Sequence, residues 1–139
     1  MSIGPADGAI SVLLVEDNPG DRRLIELTLA EVSQPRFRVR SADRLSEALA
    51  ELKRGGVDVI LLDLSLPDSD GVSTFHRLRQ SAQSLPVVVM SGLEDNEVAL
   101  AAVEAGAQDY LPKSAVDEQQ LVRALQYAMR RARGNHGSA

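Results

Sequence analysis

The sequence predicts an α/β domain, a five-stranded parallel sheet in the order 2-1-3-4-5 with helices on both faces. Three observations carry that prediction. Short β-rich apolar runs alternate with helical periodicities through the whole chain, the pattern of parallel sheets covered by helices. Two of the runs, ISVLLV at 10–15 and VDVILL at 57–62, are almost continuously apolar, as strands buried on both faces are. The length of 139 residues suits one domain of about 100–150 residues. Five strands in this alternation take the flavodoxin-like order.

Each element has its own signal. After the first strand, Ile10–Val15, Asn18 offers an N-cap and Pro19 occupies the first helical position. Leu24, Ile25, Thr28, Leu29 and Val32 follow at helical spacing until Pro35 ends the helix. Phe37–Arg40 alternates like a less buried strand. Leu45, Ala48, Leu49 and Leu52 form an apolar stripe closed by Gly55 and Gly56. The third strand covers 57–62, and SLPDSDG at 65–71 is dense in turn formers. Val72, Phe75 and Leu78 mark a third helix, and PVVVM at 86–90 a fourth strand. Val98, Ala101, Ala102 and Ala105 make a small-residue helical stripe stopped by Gly106. Tyr110–Pro112 is a short fifth strand. Leu121, Val122, Leu125, Ala128 and Met129 then define a last helix with Arg130, Arg131 and Arg133 at its end.

Composition narrows the function. Hydrophobic residues at 44% and charged residues at 25% describe an ordered globular protein. Cysteine is absent, which removes disulfides, thiolate zinc sites, iron–sulfur clusters and cysteine nucleophiles, and suits a reducing interior. A net charge of −5 repels nucleic acid. Phe37, Phe75, Tyr110 and Tyr127 are too few for a base-stacking platform. Residues 1–9 lack a signal-peptide pattern, and no apolar run reaches the roughly 20 residues needed to span a bilayer. The expectation is a cytoplasmic domain with no direct nucleic-acid or membrane partner. It divides into an extension at 1–8, the domain at 9–133 and a flexible tail at 134–139.

Open α/β sheets bind ligands outside the carboxyl ends of their strands, where the strand order reverses. Glu16 and Asp17 follow the first strand, Asp63 the third, Ser91 the fourth and Lys113 the fifth. The first and third strands are neighbours, so three carboxylates meet. Carboxylates so placed repel unless a cation joins them. Mg2+ takes a few carboxylates, keeps several waters and accepts a phosphate oxygen. A serine hydroxyl and a lysine ammonium at the same edge suit a phosphoryl group. A carboxylate is also a competent nucleophile, giving an acyl phosphate, with Mg2+ screening the phosphoryl charge in line with Asp63.

The segments VEDNP (15–19), DLSLPDSDG (63–71), MSG (90–92) and AGAQDYLPK (105–113) occur in an order and spacing that resembles the receiver domain of two-component response regulators, the CheY-like family. The resemblance implies Asp63 as the phospho-acceptor. It implies Asp17 as a direct Mg2+ ligand, Glu16 acting through water, and Ser65 giving its backbone carbonyl to the metal. Ser91 is then the hydroxyl that swings toward the phosphoryl group, Lys113 its ion-pair partner and Tyr110 the aromatic switch. The implied partners are a sensor histidine kinase or phosphotransfer protein, and a downstream protein or output domain reading the helix 4–strand 5–helix 5 face. Homodimerisation through that face belongs to the same expectation. The implied activity is a signalling switch without turnover on an external substrate.

The chain also departs from the family pattern. The usual proline after the lysine is replaced by Ser114, with Pro112 in front. A cis bond without proline costs about 2.5–4 kcal/mol, so a trans 113–114 bond and a differently shaped loop are expected. Leu93 is apolar where some relatives carry a polar residue beside the hydrolytic water, and slow autodephosphorylation is expected. Plainer roles exist for single residues: Asp17 as part of a helix cap, Lys113 as a solvated lysine, Tyr110 as half-buried core, His76 and His136 as solvated side chains. A flavin protein needs a Ser/Thr-rich phosphate loop after the first strand, and an aspartyl phosphatase needs Asp-x-Asp there; both are absent. The remaining alternatives are the receiver portion of a longer regulator or hybrid kinase, and a phosphorylation-independent binding module.

Overall fold

A computed structural model of the chain describes residues 8–92, 96–113 and 117–137. Its parallel sheet consists of β1 (Ile10–Val15), β2 (Phe37–Ala42), β3 (Val59–Asp63), β4 (Val87–Ser91) and β5 (Asp109–Pro112), in the spatial order β2-β1-β3-β4-β5. This is the predicted 2-1-3-4-5 arrangement. The helices are α1 (Pro19–Ala30), α2 (Leu45–Arg54), α3 (Val72–Ser81), α4 (Asn96–Glu104) and α5 (Glu118–Gly137). Among the described residues, no helix is long and apolar enough to cross a membrane.

The two-residue period of the strands sorts the core into two layers. Leu13, Val15, Ile60, Leu62, Val87 and Val89 pack with Leu45 and Ala48 of α2, Phe75 and Leu78 of α3, and Ala99 and Ala102 of α4. Val12, Leu14, Val59, Leu61, Val88 and Met90 pack with Ile25 and Leu29 of α1 and with Leu121, Leu125 and Ala128 of α5. Complete burial of one such Leu, Ile or Phe is worth roughly 1.5–3 kcal/mol, so both layers are needed. The alanines of α4 bring that helix close to the sheet because they occupy little volume.

Register brings the strand ends to one edge. Val15 pairs with Leu62, Asp63 with Met90, and Ser91 with Pro112. Every strand points the same way, so the residues that close β1, β3, β4 and β5 emerge together.

Several boundaries differ from the sequence expectation. Helix α1 stops at Ala30, not just before Pro35. Pro35 lacks the N–H that would pair with the carbonyl at 31 and its ring clashes there; Val32 N–H bonds to Leu29 O at 3.2 Å, tightening the exit. Leu24, placed in the buried stripe, is 55% exposed, and Val32 is buried beyond the helix end. Strand β3 begins at Val59; before it, Asp58 donates its N–H to Ser11 O at 2.8 Å, while the Ser11 N–H goes to the Asp58 carboxylate at 2.8 Å in place of a backbone carbonyl. Strand β4 begins after Pro86, which has only a carbonyl to offer and gives it to Ile60 N–H at 3.0 Å. Helix α5 continues to Gly137, past residue 133, where the sequence ends the domain. Helix propagation adds one hydrogen bond per residue and needs no new nucleus.

The turn-rich segment after β3 carries structure of its own. Ser65–Leu66 and Ser69–Asp70 pair as a two-residue antiparallel ladder. Gly71 adopts φ 75°, a left-handed conformation that side chains disfavour, and donates its N–H to Leu64 O at 2.8 Å. Asp68 at the tip accepts from Leu45 N–H at 2.8 Å and Ser46 N–H at 3.0 Å. Helix α2 has no side-chain cap at Arg44; the loop supplies one.

At the opposite edge, Arg79 of α3 ties together the loop that follows its own helix and the loop that follows α4. Its guanidinium donates to Ala82 O at 2.9 Å, Leu85 O at 2.7 Å and Gly106 O at 3.4 Å. It also lies 5.1 Å from the Phe75 ring centroid, a cation–π contact.

Candidate functional site

Glu16 follows the last residue of β1 and is fully buried. Asn18 N–H donates to its Oε2 at 3.1 Å, and Lys113 Nζ stands 2.8 Å from its Oε1 as an ion pair. Asp17, next in the chain, is exposed. Asp63 closes β3 and is 4% exposed. Its Oδ1 accepts from Ser65 N–H at 3.0 Å and its Oδ2 from Lys113 Nζ at 2.9 Å. Carboxylate oxygens of Glu16, Asp17 and Asp63 all lie within 4.8 Å of one another.

Lys113 arrives directly from the end of β5 and meets a third carboxylate, Asp21 Oδ2, at 3.3 Å. Asp21 sits in the first turn of α1, where its N–H donates to Asn18 Oδ1 at 2.9 Å. The Asn18 side chain thus caps α1, as expected. Asp17, Asn18, Asp21, Asp63, Ser65, Gly92 and Lys113 line one open cleft of about 430 Å³.

Burial is the first cause acting on Glu16, and the neighbouring Asp63 carboxylate adds to it; together they push Glu16 up to about 7 despite Lys113. For Lys113, burial works against the charged form, but Glu16 and Asp63 outweigh it and raise the ammonium above its ordinary value. An ammonium held by buried carboxylates is a fixed positive charge.

Ser91 ends β4 and is 2% exposed, and its Oγ has no hydrogen-bond partner among the described residues. A buried hydroxyl left unpaired costs about 1–3 kcal/mol. Such an orphan next to Gly92 in the cleft wall points to an acceptor supplied from outside. Tyr110 is half-buried against the core layer of α2, α3 and α4; it does not line the cleft.

The donor set fits a divalent metal. Glu16, Asp17 and Asp63 offer hard oxygen atoms in one cluster, with neither nitrogen nor thiolate among them, the preference of Mg2+.

Of the residues singled out in the sequence, Glu16, Asp17, Asp63, Ser65 and Lys113 come together, with Ser91 buried beside Gly92. Leu93 and Ser114, which carry the expectations about autodephosphorylation and the 113–114 bond, lie outside the described residues. Sequence reasoning missed Asp21. Its signal was present: the N-cap Asn18 is followed at the third position by an acid, which puts a carboxylate in the helix turn that opens at the site. Asp68 was also missed, because its partners are 22 and 23 residues away.

A parallel sheet whose carboxyl edge gathers an acidic cluster, a hydroxyl and a lysine defines a class of signalling domain. Residues 12–126 match the model of the response regulator receiver domain, and the chain belongs to that family. The chain is 39% identical over 103 residues to the KDP operon transcriptional regulatory protein KdpE of Escherichia coli K12, covering 74% of this chain and 44% of the relative. It is 33% identical over 124 residues to the cell cycle response regulator CtrA of Brucella ovis, covering 89% and 52%. Among solved structures, the receiver domain of NtrX from Brucella abortus superposes with TM-score 0.76 at 27% identity, covering 86% of this chain and 98% of that one. A sensor protein from Polaromonas sp. JS666 gives TM-score 0.76 at 28% identity, covering 88% and 98%. The chain spans about half the length of the curated relatives it matches.

Proposed function

We propose that this chain is a phosphorylation switch in which Asp63 accepts a phosphoryl group, with Mg2+, from a sensor histidine kinase or phosphotransfer protein. The observation that carries this reading is the buried Asp63 carboxylate, paired with Lys113 Nζ at 2.9 Å and sharing an oxygen cluster with Glu16 and Asp17. A bound Mg2+ neutralises charge on the entering phosphoryl oxygens. Asp17 and Asp63 would hold it directly, Glu16 through water, and Ser65 through its backbone carbonyl.

The chain's own residues do the rest. An Asp63 oxygen attacks phosphorus, the bond from phosphorus to the donor breaks, and the leaving group keeps that electron pair. Ser65 N–H holds the carboxylate in place through Oδ1. The Lys113 ammonium has three donors and follows charge from the carboxylate onto a phosphoryl oxygen. The Ser91 hydroxyl gains in the phosphoryl group the acceptor it lacks. Its movement frees space for Tyr110 to turn inward, and the change is read at the face of α4, β5 and α5. That face also serves a homodimer or a downstream protein.

The domain proper is 9–133, with the last helix running on to Gly137, and the switch acts in the cytoplasm, where its donors work. A second version, in which these residues are the receiver portion of a longer regulator, is favoured by the span of only 44% to 52% of KdpE and CtrA.

Intact-mass spectrometry after incubation with acetyl phosphate tests the reading. The expected result is one added phosphoryl group in the wild type with Mg2+, and none without Mg2+ or in Asp63→Asn. No addition in any sample, with no beryllofluoride binding, would leave a phosphorylation-independent binding module.

A further inference from the structure

The ammonium of Lys113 serves one carboxylate more than the switch chemistry asks for. Glu16 at 2.8 Å and Asp63 at 2.9 Å approach it from the buried side. Asp21 approaches at 3.3 Å with its side chain 42% exposed, from the wall of the cleft. Its place is fixed by the helix: Asn18 Oδ1 accepts the Asp21 N–H at 2.9 Å, which sets the backbone from which the carboxylate reaches over. The α1 turn therefore presents a carboxylate beside the route of any incoming anion.

We infer that Asp21 is a positioning residue that acts through Lys113 and weakens the hold of the site on a phosphoryl group. The inference rests on the switch reading above. Before phosphorylation, the Lys113 ammonium donates hydrogen bonds to Asp63 and Asp21 and ion-pairs with Glu16. When phosphoryl oxygens take over from Asp63 Oδ2, Asp21 still claims a share of the ammonium. It also adds a like charge a few ångströms from a dianion, and at such range in a partly solvated site charge–charge energies are significant. The same charge favours a divalent cation in the cleft. Asp21 therefore pushes the two ligands in opposite directions, tightening metal and loosening phosphoryl. In effect it biases the switch toward its unphosphorylated, metal-loaded state.

The opposite signs make the test decisive. Mg2+ alone is titrated by calorimetry, and beryllofluoride, a phosphoryl mimic, is titrated at saturating Mg2+ by fluorine NMR. Asp21→Asn is expected to bind Mg2+ about twofold more weakly and beryllofluoride about three- to tenfold more tightly. Asp21→Glu, which keeps the charge, returns both toward wild type. The Asn effect shrinks at about 0.5 M KCl, where exposed charges are screened. The backbone cap from Asn18 survives both substitutions, so the fold is retained. Unchanged constants in Asp21→Asn, or both constants weakened together, overturn the inference and leave Asp21 a structural partner of Lys113. Failure of the wild type itself to bind beryllofluoride sinks the switch reading and this inference with it.

Discussion

Ser91 and Glu16 are single residues held in costly states, one a buried unpaired hydroxyl and one a buried carboxyl beside another. The Ser91 hydroxyl is buried without a partner among the described residues. Removing it in Ser91→Ala deletes an unsatisfied group, so stability by urea unfolding is expected to stay within about 1 kcal/mol of wild type or to rise. Beryllofluoride affinity should fall in the same variant; an unchanged affinity would exclude the hydroxyl as a ligand of the phosphoryl group. Glu16 is raised from 4.5 to about 7, first by burial and then by Asp63. Between those values the folded protein binds more protons than the unfolded chain, so the Glu16 contribution to stability declines as pH rises through the window and is flat above it. Glu16→Gln should lose that decline in unfolding measurements from pH 4.5 to 8, and a wild-type slope in the variant would assign the titration elsewhere. At this scale the sequence was legible wherever a residue's place follows from strand alternation: Glu16, Asp63, Ser91 and Lys113 each stand at a strand's carboxyl end. Asp21 had a local signal as the acid three residues after the N-cap Asn18, but its pairing with Lys113, 92 residues away, had none, because side-chain reach across the fold has no local signature.

Among the elements, α2 depends on a segment outside itself. Both oxygens of Asp68 hold its first amides. Burial raises the Asp68 carboxyl, but the N–H groups of Leu45 and Ser46 outweigh it and hold the group below 3.8. A depressed carboxyl stabilises above its unfolded value and loses that contribution as pH falls through the folded one. Asp68→Ala is expected to cost about 1 kcal/mol at pH 7, the usual worth of an N-cap. The difference from wild type should shrink below about pH 3.8; a constant difference would show that packing, not the charged cap, is lost. Element identity was readable from apolar spacing, and α1 was readable from Asn18 and Pro19. Boundaries were less so, since pairing partners decide them: the Asp58 side chain takes the Ser11 N–H that a backbone carbonyl would otherwise pair, and Pro86 precedes the fourth strand because it has no N–H. The two-residue ladder at 65–70 has no periodic pattern at all.

For the whole molecule, the sheet separates two apolar layers that share strands but not helices. Leu78 lies in the layer of α2, α3 and α4, and Leu125 in that of α1 and α5, both fully buried. Each Leu→Ala substitution is expected to cost about 2–5 kcal/mol. The double variant should equal the sum within about 0.5 kcal/mol, as for sites without shared partners. A larger deviation in urea melts would mean that the sheet transmits repacking from one layer to the other. The Arg79 cluster gives the molecule a further asymmetry. Two loops at the amino edge of the sheet are tied to one planar group, whose rigid fork loses little entropy per bond formed, while at the carboxyl edge the Ser91 hydroxyl has no partner among the described residues and the Lys113 ammonium is shared among three carboxylates. The molecule thus closes its hydrogen bonds at one end of the sheet and leaves a donor to be completed at the other, so a ligand that supplies an acceptor finishes a bond where Ser91 stands and breaks none where Arg79 stands.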